Sequence, residues 1–384
     1  METIIQAFTG GFDSAPVYSD IAEKLVVSVN NNNAQTVIIG WNPDVSYADA
    51  ISKLHDLKKD VYLWLPVFSE YGKEAVTALD FSGEKHTQAI TAADDDFTFA
   101  CPHNPVNIKL AASYYDKHFR GYRFDGVFLD KIRFSSFGNG FRSGIGCFCR
   151  ECLEFYDSEG IDTGTLKELL ESKSKEFLAP NTLRGMRYAF ENSLIDSFFK
   201  ARAKLITESV KKVIVMFRER ELKIGLDVFA PPFSYWVGQD IDALACIADF
   251  IKPMIYRVTD APAGMPFEQK RMTEELAING CNIGGVLETL WDTDDLTSGG
   301  CFENQLRLLE KMPCRIYSGL EVNKSEICNT DAAYVENTIK AIKESGIAGC
   351  VLSWNVLAEN CLSLGNCSGG VLQCSQWLQT AHKF

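Results

Sequence analysis

The sequence lacks most of the features that assign a protein quickly. No uninterrupted apolar run approaches the roughly eighteen residues of a membrane span, so no transmembrane segment is expected. The start, Met1-Glu2-Thr3-Ile4-Ile5-Gln6, carries an acid where a secretion signal has basic residues, which points to a cytoplasmic protein. Positive charge is scarce: 38 Lys and Arg stand against 51 Asp and Glu, a net charge of −13. No basic stripe interleaves with aromatics, so nucleic acid is not an expected partner and a neutral substrate fits better. The five histidines form no His-x-His pair and no His-Glu-x-x-His helix, which argues against a histidine-ligated catalytic metal. No repeat, low-complexity tract or Pro/Gly linker divides the 384 residues, so one domain over 1–384 is expected.

What is present is an alternation of short β-branched or aromatic runs with stretches of helical period. The runs are Thr3–Phe8, Val37–Trp41, Val61–Val67, Gly126–Asp130, Ile224–Phe229, Phe250–Tyr256, Arg315–Leu320 and Gly349–Trp354. Helical candidates between them include Asp20–Val29, Tyr47–Leu57, Ile108–His118, Ser193–Phe217, Glu268–Asn279 and Ala333–Lys343. Eight such units, with strands apolar along their length, predict an α/β fold of the (β/α)8 TIM barrel type. A doubly wound sheet is the competing fold, but Thr9-Gly10-Gly11 does not match its glycine-rich phosphate turn. The segment Gly284–Leu290 could be a ninth strand or displace one of the eight. Residues 131–222 exceed what one helix needs and are expected to hold an excursion after the fourth strand.

In such barrels, chemistry sits where strands end. The ends here carry Trp41, Trp64, Asp130, Lys131, Arg133, Asp227, Tyr256, Glu321, Trp354 and Asn355, and the third run continues to Glu70. Aromatic faces pack on the apolar face of a pyranose while carboxylates, amides and cations bond its hydroxyls, and two carboxyl groups of different pKa can cleave a glycosidic bond. Asp130, Asp227 and Glu321 are the catalytic candidates, with Glu288 behind Glu321. Trp41, Trp64, Lys131, Arg133, Tyr256, Trp354 and Asn355 are the substrate-binding candidates. Trp41 and Trp354 are as readily core plugs. A barrel that binds an oligosaccharide without cleaving it remains open, as does a lyase or isomerase, for which Lys131 is thin support.

Thirteen cysteines in a chain without a secretion signal read as thiols or metal ligands. Most, such as Cys246, Cys314 and Cys350, sit singly on apolar segments and read as small core residues. Gly146-Cys147-Phe148-Cys149-Arg150-Glu151-Cys152 differs, because three close thiolates repel one another unless a cation holds them. A structural zinc ion is the expected cofactor, with Cys101 as the fourth ligand and His103 as the alternative; free thiols are the other reading. All four positions filled by protein would leave the metal no open site for chemistry.

The distant cysteine followed by Cys-x-Cys-x-x-Cys resembles the four-cysteine zinc site of a group of β-galactosidases in the large retaining clan of (β/α)8 glycosidases. The stretch from Phe124-Asp125-Gly126-Val127-Phe128-Leu129-Asp130-Lys131-Ile132-Arg133-Phe134 through Leu226-Asp227-Val228-Phe229 to Pro253-Met254-Ile255-Tyr256 is similar to a broad family of glycoside hydrolase barrels. These resemblances imply a glycosidase acting on an oligosaccharide or glycoside. The retaining clan would select Asp130 as acid/base and Glu321 as nucleophile. Amylase-like barrels would select Asp130 as nucleophile and Asp227 as acid. The chain departs from the retaining clan by having Leu129-Asp130 where that clan has Asn-Glu. The sugar, the stereochemistry and a homo-oligomeric state are open.

Overall fold

The computed structural model describes residues 1–11, 20–86 and 98–365 and the short strand Leu372–Gln373. Eight parallel strands close into a barrel: β1 (Glu2–Ala7), β2 (Thr36–Ile39), β3 (Asp60–Pro66), β4 (Gly126–Asp130), β5 (Lys223–Phe229), β6 (Phe250–Met254), β7 (Arg315–Glu321) and β8 (Gly349–Ser353). β1 pairs with β2 on one side and with β8 on the other, which is the closure. Helices that follow strands include α1 (Ile21–Asn32), α2 (Ala48–Asp56) and α3 (Pro105–Tyr114). The fold is a (β/α)8 TIM barrel, as the period of the sequence predicts.

Side chains alternate in and out along each strand, and the inward ones fill the barrel. Tyr62, Phe128, Phe250 and Tyr317 form an aromatic plug near its N-terminal end. Phe250 lies 5.4 Å from Tyr62, 5.9 Å from Phe128 and 5.5 Å from Tyr317, centroid to centroid. Two glycines make room for these rings. A Cβ on Gly225 would sit 2.2 Å from Phe250 Cζ, and one on Gly126 would sit 2.3 Å from Tyr62 Cε1.

Segment 131–222 joins β4 to β5. It holds α4 (Arg150–Ser158), the helix Thr163–Glu171, an antiparallel hairpin of Pro180–Arg184 with Arg187–Phe190, and α5 (Ser193–Arg218). α5 starts where the Asn192 side chain accepts hydrogen bonds from the backbone of Leu194 and Ile195, satisfying donors a helix start leaves open. Its face Phe198, Leu205, Ile206, Val213 and Phe217 is buried. The later helices are α6 (Met265–Ile278), α7 (Gly299–Leu309) and α8 (Ala332–Ser345).

Three expectations are corrected. Gly284–Leu290 is not a strand: Gly285 takes a left-handed conformation (φ 77°) and Val286–Leu290 is a short helix, so the barrel closes without it. Cys246 is exposed and Cys314 half-buried, whereas Cys350 is the buried core residue its sequence suggests. Cys361 is disulfide-bonded, so not every cysteine outside the metal motif is a thiol. Among the described residues no helix is long and apolar enough to cross a membrane.

Candidate active site and metal cluster

The β4–β5 ladder runs to the Leu129–Leu226 pair, and Asp130 and Asp227 are the next residue on each strand. Asp227 in turn pairs with Lys252 of β6. The row faces inward, since Phe128, Gly225 and Phe250 of the plug lie two residues earlier on the same strands. Lys252 Nζ donates to Asp227 Oδ2 at 3.0 Å and to Gln6 Oε1 at 3.0 Å, and its side chain has no exposure. Ser353 Oγ donates to the same Gln6 oxygen at 3.3 Å. Burial pushes Asp227 up to about 7; the Lys252 charge pulls it down and the Asp130 charge adds to the rise. Among the described residues nothing donates a hydrogen bond to Asp227 Oδ1, although it is buried.

Asp130 is half-exposed and accepts from Trp64 Nε1 at 3.0 Å and from the Lys131 backbone N–H at 2.5 Å. Glu70, beyond β3, is held in a similar way: Trp41 Nε1 donates to it at 3.2 Å and Lys131 Nζ forms an ion pair with it. The two indoles meet edge to face at 4.8 Å, with Phe8 against both. Arg133 is buried between the rings of Phe99 and Phe229, 4.4 and 4.2 Å from their centroids. Burial pushes its guanidinium down to about 10, against the charges of Glu268, Asp130 and Asp227. Glu268 is itself buried, its carboxyl raised by burial and drawn back by Arg133.

Glu321 is engaged elsewhere. One oxygen accepts from the Val258 N–H at 2.9 Å and the Thr259 hydroxyl at 3.0 Å, and the other from the Tyr334 hydroxyl, so the carboxylate ties the loop after β6 to α8. Burial still raises it. Tyr256 lies 5.2 Å below Lys252 Nζ by its ring and 6.5 Å from the half-exposed Trp354. Asn355 works on the backbone: its side-chain oxygen accepts from Phe8 N and Leu357 N, both at 3.1 Å. Glu288 sits on the short helix after α6 and bonds Gln269.

The structure therefore brings together Trp41, Trp64, Asp130, Lys131, Arg133, Asp227 and Tyr256, and sets Glu321 and Asn355 into loop scaffolding. Sequence reasoning missed Lys252, Gln6 and Glu268. A signal existed for the first two: Lys in Phe-Ile-Lys-Pro-Met and Gln in Thr-Ile-Ile-Gln-Ala are polar residues in the middle of apolar strands, a costly placement unless paired.

Cys101, Cys147, Cys149 and Cys152 are all buried, and their sulfurs lie within 4.8 Å of one another. Cys101 Sγ is 3.3 Å from that of Cys149 and 3.5 Å from that of Cys152. A tetrahedron with metal–sulfur bonds of ~2.3 Å needs sulfurs ~3.8 Å apart, so the cluster fits a four-thiolate metal site. Cys149 stands at the start of α4 and Cys152 in its first turn. Cys101 arrives from a strip pinned by the Ser69–Phe99 and Thr77–Ala100 bridges. His103 stays outside, 3.3 Å from the Ser209 hydroxyl and packed on Phe155. An open cavity of about 610 Å³ adjoins this region between α3, α4 and α5, with Lys109, Lys212, Glu151 and Glu154 on its walls.

No family model matches the sequence, and no curated protein matches it. Solved structures do match in shape. The glycoside hydrolase domain of PgaB (BpsB) from Bordetella bronchiseptica superposes with a TM-score of 0.54 at 12% identity, over 92% of this chain and 94% of that one. The spore cortex-lytic enzyme SleL from Bacillus megaterium QM B1551 has a TM-score of 0.48 at 10% identity, over 100% of this chain and 74% of that one. At such identities the PgaB likeness establishes a shared fold, and the chain's own residues must carry any functional argument.

Proposed function

We propose that this chain is a glycoside hydrolase whose reacting proton is held by the Asp130–Asp227 pair at the C-terminal mouth of the barrel. The observation that carries the reading is the placement of these two acids one residue beyond the Leu129–Leu226 pair of β4 and β5, both facing inward, with the Asp130 charge felt at Asp227. Two adjacent carboxyl groups do not both ionise easily. The value of about 7 for Asp227, and its buried oxygen without a donor among the described residues, fit a pair that keeps a proton. Asp130 is the member that reaches the surface, so it hands the proton to the glycosidic oxygen. Trp354 offers a half-exposed face to a sugar ring, while Trp41 and Trp64 hold the carboxylates by their N–H groups. The fold shared with the PgaB hydrolase domain agrees with this reading. The four cysteines hold a structural zinc ion that fastens the loops after β3 and β4 and takes no part in bond cleavage.

The test is hydrolysis of a panel of nitrophenyl α- and β-glycosides by wild type and Asp130→Asn. Wild-type turnover lost at least a hundredfold in the variant is the expected result. A wild type that binds oligosaccharides but cleaves no glycoside would make the chain a binding barrel.

A further inference from the structure

A glycosidase needs a second carboxylate that touches the substrate, ionised when the first is protonated. Among the described carboxylates around the strand ends, Asp227, Glu268 and Glu321 are buried. Asp130 and Glu70 reach the surface, the Glu70 side chain keeping 16% of its exposure. Asp44 beyond β2 and Asp260 beyond β6 are exposed as well, but of these acids Glu70 is the one that shares a bonding partner, Lys131, with Asp130. Resting on the hydrolase reading above, we infer that Glu70 is that second catalytic carboxylate.

Three features of the site agree. Lys131 connects the two acids, bonding Asp130 through its backbone N–H and Glu70 through its ammonium, so both carboxyl groups are set by one residue. Glu70 accepts from the Trp41 N–H as well as pairing with the Lys131 ammonium, so its oxygens are aimed by two fixed groups. Asp130 has instead the proton-holding neighbour Asp227, whose buried Oδ1 has no hydrogen-bond donor among the described residues. The two surface-reaching acids thus differ in their neighbours, Asp130 lying beside a buried acid and Glu70 beside an ammonium. Glu70 and Lys131 also hold left-handed backbone conformations, φ 73° and 53°. Each is strained for a residue with a Cβ, and such strain clusters at functional sites.

The chemistry balances. The anomeric C–O bond breaks, its electron pair stays with the leaving oxygen, and that oxygen takes the proton of the Asp130–Asp227 pair. Glu70 either removes a proton from the water whose oxygen bonds the anomeric carbon, or bonds that carbon itself and is released when water cleaves the ester. In both courses water supplies the hydroxyl on the sugar and a proton that restores the starting state.

The experiment uses the nitrophenyl glycoside that the wild type cleaves fastest, with Glu70→Ala and Glu70→Gln, each first shown to melt as a folded protein. Both variants should lose at least a hundredfold in kcat. Sodium azide should restore Glu70→Ala at least tenfold with formation of a glycosyl azide, because the small anion replaces the missing carboxylate, and should not restore the filled Glu70→Gln. A merely structural role for Glu70 would show no azide product. An active wild type whose Glu70→Ala keeps more than a tenth of its kcat, or loses it without azide rescue, overturns the assignment and leaves the hydrolase reading standing. A wild type inert on every glycoside overturns both.

Discussion

Lys252 Nζ and Asp227 Oδ2 lie 3.0 Å apart inside the barrel, with side-chain exposures of 0% and 1%. A pair so buried contributes little net stability against an apolar replacement, yet removing one partner leaves the other without compensation, at about 3–5 kcal/mol. Lys252 thus sets the charge state of the acid that the proposed reaction depends on.

Lys252→Met should destabilise the protein in a pH-dependent way. Without the ammonium, the Asp227 carboxyl rises further above its unfolded value of about 3.9. A raised acid gives stability below its unfolded value and loses it as pH rises through the folded one. The variant should therefore stay nearest to wild type around pH 5 and fall away above pH 7 in urea unfolding, and Asp227→Asn/Lys252→Met should recover part of the loss. A deficit constant across pH would show that Asp227 does not titrate as described.

The value of about 7 for Asp227 also makes a kinetic prediction. If the Asp130–Asp227 pair must carry a proton, kcat/KM falls about tenfold per pH unit on the alkaline side of roughly 7. Asp227→Asn, where folded, should abolish or displace that limb. A wild-type profile flat to pH 9 would remove the pair as the proton source.

Metal analysis of purified protein should find about one zinc per chain, falling below half an equivalent in Cys101→Ser. Because Cys101 ends the strip that places Phe99 over Arg133, stripping the metal should lower the melting temperature by several degrees and weaken substrate binding more than it slows turnover. Full stability without metal would return the cluster to free thiols.

Gly225→Ala should cost about 1–3 kcal/mol, since its Cβ would lie 2.2 Å from Phe250 Cζ within the plug. Gly299→Ala, at the start of α7 with nothing within 4 Å, should be neutral or slightly stabilising. Urea midpoints measured side by side decide this.

Much of the scaffold is legible along the chain because its determinants are local. The run Gly-Val-Phe-Leu-Asp ends an apolar strand in an acid whichever neighbours it acquires, so Asp130 stands out without coordinates. Asp227 stands out for the same reason. Cys-x-Cys-x-x-Cys puts three thiols within reach of one ion by spacing alone, and Cys101 joins them as the position of its strip next to the fourth strand's loop suggests. Glu321 looks equivalent to Asp130 by the same rule, yet its oxygens are consumed by Val258, Thr259 and Tyr334, partners 63, 62 and 13 residues away.

Periodicity determined that eight strands would alternate with helices and which residues each strand would turn inward, since facing depends only on a two-residue repeat. Closure decided the rest. The stagger between neighbouring strands, set by how the cylinder packs around Tyr62, Phe128, Phe250 and Tyr317, chose Lys252 as the companion of Asp227 and put Glu70 beside Lys131. Those pairings are distances between remote segments, and no local pattern encodes a distance that exists only once the ring is shut.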